Sequence, residues 1–119
     1  NNETTRRTSK LREKLNKPLV QLMEQQFSGS GIDINVISSM MIAGIYYLIL
    51  HRKISTFCDV DYNTRIGKDR FNQGIEMVTD IVFDKLEMYQ EQLSIAQKLR
   101  DEGVSEEIIS KVLPTAHKE

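Results

Sequence analysis

The sequence has few of the residues that interrupt regular structure or crosslink a fold. Its 119 residues include one cysteine, two prolines, six glycines and no tryptophan. Because a single cysteine cannot form a disulfide within the chain, the fold does not depend on an oxidising compartment. So little proline and glycine leaves few turn signals for a protein of many short strands. The length is that of one domain.

The charge balance is nearly even. Sixteen Lys and Arg residues stand against 17 Asp and Glu, a formal net charge of −1, so no overall positive field points to nucleic acid. Hydrophobic residues make up 39% and charged residues 28%, typical of a soluble globular protein. The opening residues, NNETTRRTSKLREKLNK, contain no apolar run of a secretory signal. We therefore expect a cytoplasmic protein.

Apolar residues recur every three or four positions from Thr8 to Phe27, which predicts a helix with one apolar face. Pro18 lies within this segment and has no N–H to donate. We expect either a kink at Pro18 or a second helix that begins near Asn16. The glycine- and serine-rich segment 28–31 predicts the end of this helix.

The next predicted helix, about residues 35–54, begins after a cap at Asp33 or Asn35 and is apolar on almost every side. Such a helix is either covered on two sides or inserted in a membrane. The uninterrupted apolar stretch from Met40 to Leu50 has 11 residues, fewer than the roughly 20 that cross a bilayer. We therefore expect no membrane association.

A third helix is predicted after a cap at Asn63 or Thr64, over about residues 68–90, with a break near residues 90–92. Gly103 is suited to end the following helical segment, and Ser105 to cap a last short helix. The expected fold is an all-α bundle of four to five helices. We divide it into a domain of residues 1–92 and a C-terminal helical extension with a polar tail, residues 93–119.

No group of residues indicates catalysis or metal binding. Residues 59–63, DVDYN, begin like a calcium loop, but Thr64 stands where that loop has glycine and Arg70 where it has a bidentate glutamate. His51 and Cys58 lack the paired spacing of zinc ligands. Because no nucleophile, zinc-protease or phosphate-loop motif is present either, we expect a non-enzyme without metal or cofactor.

The apolar second helix is the most informative feature of the sequence. The other helices of so short a chain can cover only one of its sides, which favours a homodimer. Gly44 and Gly74 have no Cβ, so helices can approach closely where these residues cross. The alternative is that Gly44 fills a tight core within one copy.

Residues 42–78, IAGIYYLILHRKISTFCDVDYNTRIGKDRFNQGIEMV, resemble the C-terminal ligand-binding and dimerisation domain of tetracycline-repressor-type (TetR-type) transcriptional regulators. The similarity lies in an apolar helix that ends in YYLILHR, a turn STFC, the acidic DVD and a glycine-flanked start of the next helix. It extends over roughly residues 10–90. The segment 91–119 lies outside the pattern.

The resemblance implies a homodimer that binds a small apolar or amphipathic effector and transmits binding as a change in dimer geometry. The last two helices of each copy, about 35–54 and 68–90, then form a four-helix interface. The implied pocket residues are Met23, Phe27, Met41, Ile45, Tyr46 and Tyr62. The implied interface residues are Met40, Gly44, Tyr47, Leu48, Phe71, Gly74, Ile75, Val78 and Val82. DNA binding, and with it transcription regulation, is expected only through a helix-turn-helix domain that this sequence lacks, preceding Asn1.

The charges are unevenly distributed along the chain. Residues 1–20 hold six basic and two acidic side chains, and residues 54–92 hold four basic and eight acidic. Such a difference has two explanations: the charged residues lie on a solvated surface, or they orient a binding partner. The alternative function is therefore a small helical adaptor that binds a protein partner through its basic N-terminal helix.

Overall fold

The computed structural model describes residues 2–113, and over that range the chain forms four helices and no strand. The all-α fold class predicted from the sequence is therefore confirmed. The chain divides into two compact units, Asn1–Ser55 and Thr56–Glu119. The four helices are α1 (Asn2–Phe27), α2 (Ile34–His51), α3 (Arg65–Asp101) and α4 (Glu106–Val112).

Helix α1 is one continuous helix that passes through Pro18, so the predicted second helix near Asn16 is absent. Pro18 and Lys14 both lie on an exposed surface, where water can hydrate the carbonyl that receives no hydrogen bond from the proline. After α1, Gly29 and Gly31 adopt φ angles of 75° and 76°. Glycine adopts this left-handed conformation readily, which explains why the helix ends where the sequence predicted.

The first unit is a helical hairpin of α1 and α2. Asp33 is the N-cap of α2, and its carboxylate accepts a hydrogen bond from the Val36 N–H at 3.2 Å. The Asn35 amide donates to the Glu24 carboxylate at 2.6 Å and joins the two helices beside the connection. Phe27 and Ile34 are buried there. This small contact holds the hairpin at its closed end.

Helix α2 ends at His51, three residues earlier than the predicted 35–54 boundary. The N–H groups of Ile54 and Ser55 both donate to the His51 carbonyl, which turns the chain out of the helix. The His51 Nδ1 lies 2.8 Å from the Tyr47 carbonyl, and its ring stacks on the Tyr47 ring with centroids 4.0 Å apart. His51 thus packs against the last turn of α2.

In the second unit, a tight turn precedes α3. Cys58 and Asp59 occupy it with φ angles of 53° and 59°, and the backbones of Phe57 and Val60 exchange two hydrogen bonds across it. Thr64 then caps α3, since its hydroxyl accepts from the Gly67 N–H at 2.9 Å.

Helix α3 is a single helix of 37 residues. The predicted break near residues 90–92 and the predicted helix range of 68–90 are therefore wrong. No glycine or proline lies between Ile75 and Glu102, so nothing in the backbone interrupts the hydrogen-bond ladder. The boundary that we placed between residues 92 and 93 falls inside this helix, whereas the compact units meet at residues 55 and 56.

The sequence correctly predicted how α3 ends and α4 begins. Gly103 has a φ angle of 83°, its N–H donates to the Arg100 carbonyl, and the Val104 N–H donates to the Leu99 carbonyl, a Schellman motif. Ser105 caps α4 through a 3.4 Å hydrogen bond from the Ile108 N–H. This geometry folds α4 back against α3.

The α3–α4 hairpin contains the best-packed cluster of the described chain. Ala96 and Ile109 are 0% and 1% exposed. Half-buried apolar residues surround them: Leu93, Leu99, Val104 and Leu113. Arg100 donates from Nε and from Nη2 to the two carboxylate oxygens of Glu106, the second at 3.1 Å. This hydrogen-bonded pair raises the pKa of the Arg100 guanidinium above its ordinary value.

Candidate interaction surfaces

The apolar helix α2 remains largely uncovered in one copy of the chain. Of its 18 residues only Ile34 is buried. Met40 is 69% exposed, Leu50 71% and Tyr47 48%. Soluble monomers rarely leave so contiguous an apolar surface in water, and such a surface usually marks an interaction site.

The four interface residues predicted on α2 lie on one face of this helix. Met40, Gly44, Tyr47 and Leu48 are spaced by three and four residues, so they follow one another along one side. The α2 residues that face α1 across an open groove lie on the opposite side of the helix: Ser39, Ile42, Ala43, Ile45 and Tyr46. Of these four residues, Met40, Gly44 and Tyr47 are exposed, whereas Leu48 is half-buried.

The five interface residues predicted on α3 also share one face: Phe71, Gly74, Ile75, Val78 and Val82. Val78 is 42% exposed, and Phe71, Ile75 and Val82 are half-buried. Four of the five, all but Val82, line an open depression of about 320 Å³ together with Val60, Tyr62 and Arg70. Tyr62 packs edge-to-face on Phe71, with ring centroids 5.7 Å apart.

The two helical glycines of these faces stand in open space. A Cβ built on Gly44 or on Gly74 meets no atom within 4 Å. Tight packing within one copy therefore does not explain the glycine at either position. Gly67 is different, because a Cβ there lies 1.8 Å from the Asp61 carbonyl oxygen.

Four of the six predicted pocket residues line surface depressions of the described chain. Phe27 lines a depression of about 410 Å³ at the α1–α2 connection. Ile45 and Tyr46 line a groove of about 680 Å³ between α1 and α2. Tyr62 belongs to the second unit. Met23 and Met41, both half-buried, line none of these three.

The groove between α1 and α2 combines apolar and polar walls. Arg12, Glu13 and Asn16 contribute its polar side from α1, and Ile42, Ala43, Ile45 and Tyr46 its apolar side from α2. Its volume lies in the range of small-molecule sites, and its mixed lining suits an amphipathic molecule. Sequence reasoning missed the α1 residues, although their spacing (Arg12, Glu13, Asn16) places them on one side of that helix.

The acidic residue Asp61 in the loop before α3 forms hydrogen bonds within that loop. The Asp61 carboxylate accepts hydrogen bonds from the Asn63 N–H at 2.9 Å and from its side-chain amide at 3.0 Å. The Thr64 hydroxyl donates to the Asp61 carbonyl. Among residues 2–113, no group of three or more histidine, cysteine or acidic side chains is placed to hold a metal ion. Cys58 is an exposed free thiol.

By length and composition α2 is also long and apolar enough to cross a membrane. Its 18 residues rise about 27 Å, slightly less than the roughly 30 Å hydrocarbon core of a bilayer. Core helices of soluble proteins share this length and composition. The predicted absence of membrane association thus stays a prediction.

Comparison of the chain with family models, with curated proteins and with solved structures finds no match. The TetR-type resemblance therefore rests on the residues alone.

Proposed function

We propose that this chain is the effector-sensing and dimerisation domain of a TetR-type transcriptional regulator, without catalytic activity. The observation that supports the proposal most strongly is the uncovered apolar surface of α2, which one copy leaves in water. In the proposed homodimer, α2 and α3 of each copy contribute their apolar faces to a four-helix interface. Burial of those faces stabilises the dimer by the hydrophobic effect.

The effector site in this proposal is the groove between α1 and α2. Helix α2 carries the groove residues on one side and the interface face on the other. An apolar or amphipathic molecule that enters the groove shifts α2 relative to α1, and the interface face moves with it. The ligand thereby favours one of two dimer geometries, provided that it binds one more tightly than the other. DNA binding in this proposal belongs to a separate domain.

Sedimentation equilibrium of the 119-residue chain at micromolar concentration tests the dimer. Tyr47→Arg places a charge at the centre of the α2 face, and we expect the dimer Kd to rise about 100-fold, or about 3 kcal/mol. Leu50→Arg is the matched control, because Leu50 is also exposed apolar surface of α2, at 71% against 48% for Tyr47, but lies off that face. A monomeric wild-type chain, or equal effects of the two substitutions, contradicts the proposed interface.

Thermal unfolding with dodecanoate and with decanol tests the groove, since the two share an apolar chain and differ in the head group. We expect a rise in Tm that Ile45→Trp abolishes, because the indole fills the apolar side of the groove. Leu50→Trp is the control, because Leu50 is exposed on α2 and lies outside both the groove lining and the interface face. If neither probe changes the Tm, the effector site in the groove is contradicted, and only the proposed dimerisation remains.

The alternative, an adaptor that binds a protein partner through α1, is favoured by the exposure of that basic helix. It predicts a monomeric chain whose α1 stays open until the partner arrives. The sedimentation experiment thus separates the two functions.

A further inference from the structure

Helix α1 carries an apolar surface that the proposed dimer face does not use. Four leucines on it are 58–70% exposed: Leu11, Leu15, Leu19 and Leu22. Their spacing of three and four residues places them along one side, which we call the leucine stripe. It lies roughly a quarter turn around the helix from Arg12, Glu13 and Asn16, which line the groove facing α2. Helix α2 therefore does not cover it.

Helix α3 has a second exposed apolar stripe, separate from its predicted interface face. Met77, Ile81, Met88 and Ile95 are 46–63% exposed. Ile81, Met88 and Ile95 recur every seven residues, the repeat by which two helices pack side by side. We call these four residues the second stripe of α3. It is about 27 Å long, long enough for the leucine stripe, which is about 17 Å long.

The two stripes have flanks of opposite charge. Five exposed carboxylates run beside the second stripe of α3: Glu76, Asp80, Asp84, Glu87 and Glu91. They follow one another at spacings of three and four, and such like-charge neighbours destabilise an isolated helix. Within the part of the chain that the structure describes, none of the five forms an ion pair. Arg7 and Lys14 lie about a quarter turn from the leucine stripe and are exposed, and Arg7 forms an exposed ion pair with Glu3 at 2.9 Å.

We propose that the leucine stripe of α1 binds the second stripe of α3 in a second copy of the chain. The basic flank of the leucine stripe then faces the acidic flank of α3. The positive charges of α1 reduce the repulsion among the five carboxylates that destabilises an isolated α3. A two-fold dimer forms this contact twice, once from each copy. The contact adds to the interface under the proposed function, but its residues are different ones, so the two are tested separately.

Charge reversal tests the contact. One variant, Arg7→Glu/Lys14→Glu, makes the flank of the leucine stripe acidic, and another, Asp80→Lys/Glu87→Lys, makes the flank of α3 basic. We expect each variant alone to raise the dimer Kd about tenfold, because several exposed pairs, each of small strength, turn from attraction to repulsion. The effect decreases in 1 M NaCl, where the Debye length is about 3 Å.

Mixing the two variants identifies which copy provides the partner. In a mixed dimer the acidic α1 faces the basic α3, and the unchanged α1 faces the unchanged α3, so both contacts are attractive. We expect the mixture to form heterodimers with the wild-type Kd. The matched control is Arg6→Glu/Lys17→Glu, which makes the same charge change on the side of α1 opposite to the leucine stripe. We expect its Kd to equal that of the wild type.

Three results overturn the proposal. If the four substitutions combined in one chain restore the Kd but mixing does not, α1 and α3 of the same chain meet. If neither restores it, the flanks of the two stripes do not face each other in the dimer. If the control weakens the dimer as much as Arg7→Glu/Lys14→Glu, only net charge matters. Tyr47→Arg reports separately on the α2 face, so failure of either interface is recognised without the other.

Discussion

Gly44→Ala separates the folding of one copy from the association of two. Within one copy, a Cβ at Gly44 meets no atom within 4 Å, so the methyl group adds no clash. Alanine is favoured over glycine in a helix interior by about 0.8–1.0 kcal/mol. We therefore expect the substitution to raise the stability of the isolated chain by about 1 kcal/mol.

In the proposed dimer the same methyl group has the opposite effect. Gly44 lies one turn from Met40 and one turn from Leu48, in the middle of the α2 face. If two helices cross there, the added methyl groups of both copies push them apart, and overpacking of this kind costs about 1–3 kcal/mol. The dimer Kd then rises about 5- to 150-fold.

The assay is chemical unfolding monitored by circular dichroism at submicromolar and at high micromolar concentration, together with sedimentation. We expect Gly44→Ala to stabilise the dilute chain and to weaken its association. Ser94→Ala is the control, because Ser94 is exposed on α3, away from the second stripe and the predicted interface face of that helix, and gains helix propensity alone. If Gly44→Ala stabilises the chain at both concentrations with an unchanged Kd, no helix crosses at Gly44 and the reasoning is refuted.

Three further predictions concern the second unit and α2. Gly67→Ala lowers the free energy of unfolding in urea by about 1–2 kcal/mol, because a Cβ at this position lies 1.8 Å from the Asp61 carbonyl oxygen and displaces the Thr64 cap. A free energy of unfolding equal to or above that of the wild type contradicts this prediction. Ile109→Ala removes a fully buried side chain of the α3–α4 hairpin. We expect the hydrogen exchange rate of the α4 amides to rise by a factor that corresponds to a loss of about 2–4 kcal/mol in opening free energy. Ile108→Ala, at an exposed position, is the control and leaves this rate unchanged. In flotation with phosphatidylcholine vesicles, the wild-type chain stays in the soluble fraction; recovery with the vesicles means that α2 inserts in the membrane.

The ends of three helices were predictable from the sequence because they depend on local chemistry. Ser105 caps α4 as predicted, and Asp33 and Thr64, each one of two predicted candidates, cap α2 and α3. Gly103 ends α3 in the left-handed conformation that glycine adopts readily. Each feature involves residues within a few positions of one another, so the chain order already brings the interacting groups together.

The predictions about α3 and the pocket failed or stay open because they depend on distant residues. Length statistics suggested a break near residues 90–92, but α3 continues to Asp101, and Leu93 and Leu99 pack against Ala96 and Ile109 beyond that point. The six pocket residues share apolar character, and periodicity alone did not indicate which depression Phe27, Ile45, Tyr46 or Tyr62 lines, so the pocket stays a prediction. The groove residues of α1 are polar, so a prediction based on apolar side chains did not include them.

The sequence by itself determined the helical class, the caps and the excess of apolar surface on α2, because periodicity and capping are properties of neighbouring residues. Only the tertiary structure decided that this surface stays in water. Within its unit α1 lies against a single side of α2, and within the other unit α4 folds onto the end of α3, so most apolar residues of α2 are exposed. Which side of a helix is covered depends on how its neighbours pack, and packing joins residues that the chain order keeps far apart.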